Sequence, residues 1–379
     1  MKSNVKYTIF FWSPMLSNVG TLNAIVGMAK SLNRYSGHKI YILDILGEFR
    51  NFYNNSELNF LCFVKINNIF PSTGRLSKFL IMFFSIIAVP FLIRQIIIYR
   101  PKYIITGLVG FIPLLLKFFF KKLIIINSIQ GYPRFNIFRL LIWKFLYSKS
   151  DHILTMTNMT KQMIGNKIKI ETGKISIVEN PIIYREIKRL SLEEIDSNEK
   201  FIFKKKVYCA IGRLTLQKNF FELLSGFKKY SQEVEKNFNL IIIGEGELRN
   251  DLAAYIKKNN LDNFYLLGFK SNPYKYLCRS DLYVSTSLWE EPGHTLIEAG
   301  YLNVPILSSN CPNGPNEIIV DGFNGLKYQL GNINDLVNKI KIFNALDVKL
   351  KKKLSINFKD VVANYTQFRF FKKMLRIIV

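Results

Sequence analysis

The strongest constraint on this chain is a rhythm that runs through it twice. Short β-branched and aromatic runs alternate with longer helical stretches, a pattern of parallel α/β layers. The first half predicts strands at 7–11, 38–44, 103–106, 123–127 and 152–156. Helices are expected at 21–32 and 75–99, with a further one capped by Asn158 or Thr160. After Val178-Glu179-Asn180-Pro181 a polar, charged stretch at 185–206 stops the alternation and reads as a solvated boundary. The rhythm then restarts, with strands at 207–211, 240–243, 264–267, 282–285 and 305–308 and helices at 220–231, 247–259 and 295–301. A chain of 379 residues exceeds what one core usually organises. The expectation is therefore two Rossmann-like domains, 1–182 and 183–364, facing across a cleft. The terminal segment 365–379, which mixes Phe, Arg and Lys at helical spacing, packs back on the first. In such folds ligands bind outside the carboxyl ends of the strands.

Composition narrows the class. Hydrophobic residues are 49% and charged residues 21%, a globular balance. The net charge of +26 is uneven: residues 1–150 hold 19 Lys and Arg against 3 Asp and Glu, or +16, and the remaining residues hold 34 against 24, or +10. A basic first half suits an anionic partner such as phosphate groups, an anionic lipid surface or nucleic acid, or else reflects compositional drift. The four cysteines (Cys62, Cys209, Cys278, Cys311) lack metal or disulfide spacing, which fits a reducing cytoplasm. The N-terminal apolar run is too short for a signal peptide. Residues 79–93 are uncharged between Arg75, Lys78 and Arg94, but they fall short of a span and contain Pro90. They read as buried or interfacial, as does the apolar run 103–116.

Four motifs carry chemistry. Gly212-Arg213-Leu214-Thr215-Leu216-Gln217-Lys218-Asn219 follows a strand and precedes a helix, so a glycine turn, two cations and helix amides form an anion site. Ile243-Gly244-Glu245-Gly246-Glu247 offers a tight turn close to a ligand, though a lone Gly-x-Gly is a weak signal. In Ser287-Leu288-Trp289-Glu290-Glu291-Pro292-Gly293-His294-Thr295-Leu296-Ile297-Glu298-Ala299, Glu290 lies on a loop and Glu298 inside a helix starting near Thr295. The amides of 293–296 then face phosphate or sugar oxygens, and the carboxylates accept hydroxyl hydrogen bonds. Cys311-Pro312-Asn313-Gly314-Pro315-Asn316-Glu317 forms a wall of the same pocket, or a simple turn. His294 lies in the donor loop, whereas His38 and His152 suit strand ends.

Together these motifs resemble the family 4 glycosyltransferases of bacterial surface-polysaccharide type, which have the GT-B fold. The likeness is strongest over 206–330, where Gly-Arg-x4-Lys (Arg213, Lys218) and Glu-x7-Glu are followed by Gly300-x4-Pro305. Over 1–182 it rests on element order, with Asp151-His152-Ile153 and Asn180-Pro181 as landmarks. The resemblance implies a retaining enzyme whose co-substrate is a nucleotide sugar, UDP being the commonest nucleotide. The implied catalytic residues are Glu290, Arg213 and Lys218. Arg213 and Lys218 hold the donor diphosphate beside Gly212 and Gly244, Glu298 the ribose, and Glu290 the transferred sugar. Gly293, His294, Thr295 and Leu296 meet sugar and phosphate oxygens, Gly268 to Lys270 border the base, and Gly20 lets the N-terminal loop approach the diphosphate.

The chain departs from the family pattern twice. Its N-terminal loop, Asn18-Val19-Gly20-Thr21, has one glycine where relatives have several, and Ser128-Ile129-Gln130-Gly131 stands where a histidine is common. No Asp-x-Asp occurs. The expectation is thus no metal, with cations and helix dipoles neutralising the leaving group. The partners expected are the sugar donor, a lipid-linked glycan acceptor and an anionic membrane surface, with no nucleic acid, at the cytoplasmic face of the membrane. Two rivals remain: a nucleotide-sugar epimerase or phosphorylase of the same architecture, and a basic membrane- or nucleic-acid-binding protein.

Overall fold

The structure, a computed structural model, describes residues 6–16, 20–49, 57–65, 74–107, 109–133 and 137–378. The chain divides into two compact units, Met1–Ile182 with Tyr365–Val379, and Ile183–Asn364.

In the first unit β1 (Thr8–Trp12), α1 (Gly20–Ser36), β2 (Lys39–Asp44) and β3 (Asn59–Cys62) lead into α2 (Gly74–Ile87) and α3 (Val89–Tyr99). There follow β4 (Tyr103–Thr106), α4 (Phe111–Leu116), β5 (Ile124–Ser128), α5 (Ile137–Tyr147), β6 (His152–Thr155), α6 (Asn158–Ile168) and β7 (Ile175–Ile177). The seven strands pair in parallel in the order β3-β2-β1-β4-β5-β6-β7. Period-two alternation sends Ile9 and Phe11 to one face, where α1 and the terminal helix pack through Ile25, Met28, Phe370 and Met374. Phe10 and Trp12 go to the other, against Leu92 of α3 and Ile112 and Leu116 of α4. With both faces covered, strands such as β5 read as continuous Ile.

The second unit opens with α7 (Arg185–Ser191) and continues as β8 (Lys206–Ile211), α8 (Phe220–Glu233), β9 (Phe238–Ile243), α9 (Arg249–Lys258), β10 (Phe264–Gly268) and α10 (Tyr274–Leu277). Next come β11 (Leu282–Ser285), α11 (His294–Tyr301), β12 (Ile306–Ser309), α12 (Gly314–Ile318), β13 (Leu326–Tyr328), α13 (Ile333–Ala345), α14 (Val348–Asn357) and α15 (Lys359–Ala363). The last helix, α16 (Gln367–Met374), returns to the first unit, where Ser31 of α1 donates to the Gln367 carbonyl at 2.6 Å. Six parallel strands run β10-β9-β8-β11-β12-β13. In both sheets the order grows outward from the first strand and then jumps to its other side. The reversal falls between β1 and β4 in one unit and between β8 and β11 in the other. That is where a doubly wound sheet opens a ligand crevice.

Three expectations need correcting. The single helix over 75–99 is two helices bent by 49° around Ala88, because Pro90 can start a helix but cannot continue one. No single helix among the described residues is long and apolar enough to cross a membrane. The polar stretch 185–206 is ordered, since its acids find partners further along the chain: Lys275 meets Asp196 at 2.7 Å and Lys270 meets Glu199 at 2.7 Å. The helix at 158 is capped by Thr157, whose hydroxyl accepts from the Thr160 amide at 3.2 Å.

Candidate functional site

The reversal in the second sheet gathers the motifs. Gly212 follows β8 directly, and residues 286–293 connect β11, the strand beside β8, to α11. Three glycines end three neighbouring strands. The Gly212 amide donates to the Ile243 carbonyl at 3.0 Å and the Gly244 amide to the Gly268 carbonyl at 2.8 Å. Gly244 has φ +146°, and a Cβ there would overlap the Gly212 carbonyl. At Gly212 a Cβ would press on the Lys218 stem, with Cε at 2.8 Å. Glycine therefore lets the Lys218 side chain lie back across the turn.

Lys218 Nζ and Glu290 Oε1 form an ion pair, with 17% and 8% of the side chains exposed. Ser287 Oγ donates to the same carboxylate oxygen at 2.6 Å. The two loops are sewn together around the pair. Thr286 Oγ1 donates to the carbonyls of Lys218 (3.0 Å) and Asn219 (3.1 Å), Gln217 Nε2 to the Trp289 carbonyl (3.0 Å), and the Leu288 amide to the Gln217 carbonyl (2.8 Å). Arg213, by contrast, is exposed and has no ion pair among the described residues.

The fourth motif closes against the third. Asn313 donates to Glu291, Glu290 pairs with Asn313 as an isolated bridge, and a Cβ at Gly314 would overlap the Pro292 carbonyl. Gly293, at φ +96°, turns the chain into α11, whose first residues are His294, Thr295 and Leu296. Thr295 Oγ1 shares a 2.6 Å hydrogen bond with the hydroxyl of Tyr283, the second residue of β11. Burial holds His294 down to about 4 against the opposing attraction of Glu290, with the Lys218 charge lowering it further, so its ring is neutral near pH 7. On the inner side of α11, burial raises Glu298 to about 7, although Tyr274 donates to its Oε1 at 3.2 Å and Lys218 lies close enough to oppose the shift. Tyr184 is hydrogen-bonded in turn to Tyr274.

Other expected residues lie elsewhere. Lys270 Nζ is held by Glu199 at 2.7 Å and Asp196 at 3.8 Å and sits 5.3 Å from the Tyr276 ring centroid, so its charge is already matched. Gly268, at φ +72°, lies by Glu245. Gly20 is exposed and begins α1; Asn18 and Val19 lie outside the described residues. His38 accepts from the Tyr7 amide at 3.2 Å and His152 bonds Ser176 at 3.0 Å. In the first unit Gln130 and Asn180 exchange hydrogen bonds, Asn180 donating at 2.8 Å. No group of three metal-ligating side chains occurs among the described residues. Sequence reasoning missed Tyr274, Tyr184 and Tyr283, whose hydroxyls reach α11 or its Glu298 contact; the place of Tyr283 on the predicted strand 282–285, just before the third motif, was the one available signal.

Two parallel-sheet α/β domains of this kind are the GT-B fold of glycosyltransferases. The crystal structure of Anabaena Alr3699/HepE in complex with UDP superposes with a TM-score of 0.78 over 98% of this chain and 99% of that one, at 14% identity. More particularly, residues 193–360 match the family described as Glycosyl transferases group 1, so the second unit carries a glycosyltransferase group 1 domain. An uncharacterized glycosyltransferase of Methanocaldococcus jannaschii is 38% identical over 202 residues, 52% of this chain and 50% of the relative. The N-acetylgalactosamine-N,N'-diacetylbacillosaminyl-diphospho-undecaprenol 4-alpha-N-acetylgalactosaminyltransferase of Campylobacter jejuni is 30% identical over 222 residues, 57% of this chain and 58% of the relative. The chain thus spans about half the length of these curated relatives.

Proposed function

We propose that this chain is a retaining, metal-independent glycosyltransferase of family 4. It moves a hexosyl or N-acetylhexosaminyl group from a UDP-sugar to a lipid-linked glycan for surface polysaccharide or lipopolysaccharide, as a peripheral protein on the cytoplasmic face of the membrane. The observation that carries this reading is the pairing of Lys218 with Glu290 beside unpaired Arg213 at the sheet reversal. A nucleotide diphosphate brings enough negative charge to draw Lys218 from Glu290, and Arg213 adds a second cation. Glu290, once released, accepts a hydroxyl of the sugar, and Glu298 accepts from the ribose. The neutral His294 and the first amides of α11 meet the remaining oxygens. As the bond from the anomeric carbon to the diphosphate oxygen breaks, the acceptor oxygen bonds that carbon from the same face. The acceptor proton passes to the departing phosphate, whose charge the cations stabilise. UDP in the Anabaena structure and the diphospho-undecaprenol acceptor named for the Campylobacter enzyme support these choices of donor and acceptor.

The test is mass spectrometry after incubation with a panel of nucleotide sugars and diphospho-polyprenol glycans. The expected product is one lipid-linked glycan heavier by a single sugar. Conversion of the nucleotide sugar in the absence of acceptor would establish the epimerase instead. Salt-sensitive binding to polyanions with no affinity for any nucleotide diphosphate would leave only the basic binding protein.

A further inference from the structure

We propose that the helical layer of the first unit carrying α2, α4 and α5 is a docking face for an anionic lipid bilayer, which it enters at the interface without spanning. The inference deepens the membrane placement above and rests on it for the choice of partner. Helix α2 is inverted for a helix in water: Phe79 (66% exposed), Met82, Phe83 and Ile86 face outward, while Ser77 and Ser85 are buried. On α5, Ile137 (83% exposed), Leu141 and Phe145 recur every four residues as one exposed stripe, and Phe119 just beyond α4 is 82% exposed. These helices share one side of the sheet. Phe84 of α2, Leu92 of α3, Ile112 of α4 and Tyr147 of α5 all join the cluster that holds Phe10 and Trp12.

Charge selects the occupant. The first unit holds 27 Lys and Arg against 6 Asp and Glu, or +21, whereas the second holds 26 against 21, or +5. Exposed Lys78, Lys121, Lys122 and Lys149 lie along the same helices and their connections, and Lys149 Nζ stands 4.9 Å from the Phe118 ring centroid and 5.2 Å from that of Phe145. Apolar side chains interleaved with lysines suit the headgroup boundary, where stems bury and ammonium groups reach phosphate. A second copy of so basic a unit is repelled. Against a span by the bent pair stand Leu92 and Ile96, buried in the core, which their removal into lipid would strip.

The experiment is co-sedimentation of the full chain with phosphatidylglycerol–phosphatidylcholine vesicles, without sugar donor, so that failure here leaves the transferase reading standing. The chain is expected to pellet at low salt and to be partly retained at about 1 M salt, where the Debye length falls to roughly 3 Å. Lys121→Gln/Lys122→Gln should lower partitioning roughly 30-fold at low salt. Phe79→Ser/Phe83→Ser and Leu141→Ser/Phe145→Ser should each lower it roughly tenfold or more and abolish the salt-resistant part. Since these positions are exposed, melting by circular dichroism is expected to match the parent and exclude misfolding. Equal binding to pure phosphatidylcholine, unchanged partitioning of the apolar variants, or a concentration-dependent dimer lost in Phe79→Ser/Phe83→Ser would overturn the proposal.

Discussion

Replacing Lys218 by Ala is expected to damage stability and chemistry separately, and the Lys218–Glu290 pair shows why. Glu290 is 8% exposed, with Lys218 and Ser287 supplying its hydrogen bonds to Oε1. Without Lys218 a buried carboxylate keeps one neutral donor and loses its countercharge. Breaking a buried pair from one side costs about 3–5 kcal/mol. For a unit the size of 183–364 that corresponds to a melting temperature lower by roughly 6–20 °C. Glu290→Gln should cost less, about 1–2 kcal/mol, because Lys218 retains a 17% exposed path to water and the amide oxygen still accepts from Ser287. The double variant Lys218→Ala/Glu290→Gln removes the stranded charge and should recover at least half of the single loss. Turnover should fall about 100-fold in Lys218→Ala and stay low in the double variant, since the diphosphate still lacks its cation. Thermal melts of the four proteins, with single-turnover assays beside them, read all of this. A Lys218→Ala protein that melts like the parent, or a double variant no more stable than Lys218→Ala, would refute the reasoning.

Arg213→Ala should lose about 100-fold in turnover with a stability change within about 0.5 kcal/mol, because the side chain is exposed and unpaired; a large fall in melting temperature would contradict its position. Glu298, raised from 4.5 to about 7, binds more protons folded than unfolded between those values, so stability should decline as pH rises from about 4.5 through 7. The decline amounts to at most about 3 kcal/mol, and Glu298→Gln should flatten it; an identical slope in urea titrations of the variant would sink the assignment. Gly244→Ala should cost about 2 kcal/mol or more, since φ +146° and the Gly212 carbonyl leave no room for a Cβ, and an unchanged melt would refute that geometry. Turnover should survive EDTA; loss on chelation with recovery on adding manganese or magnesium would overturn the metal-free account of the leaving group.

What was legible in the sequence, and what was not, follows from where each signal originates. Strands buried on both faces announce themselves, as Ile124 to Ile126 and Ile241 to Ile243 do. The three strands missed, β3, β7 and β13, are all sheet edges of three or four residues. An edge strand has one neighbour and carries residues such as Asn59, Ser176 and Lys327, so no continuous apolar run marks it. The charges at 185–206 read as solvent-facing because their partners, Lys270, Lys275 and Tyr276, stand more than 70 residues away. The same distance hid the chemistry of the candidate site. Lys218 and Glu290 are 72 residues apart and belong to motifs legible separately, one as an anion cradle and the other as hydroxyl acceptors. Only the reversal that sets β11 beside β8 makes them mutual countercharges. On the donor placement proposed above, that adjacency changes the energetics of binding: a diphosphate would have to displace Glu290 from Lys218 before the carboxylate could accept from the sugar. On that proposal, recognition of the phosphate and of the sugar would be coupled through one ion pair, a linkage that neither motif contains alone.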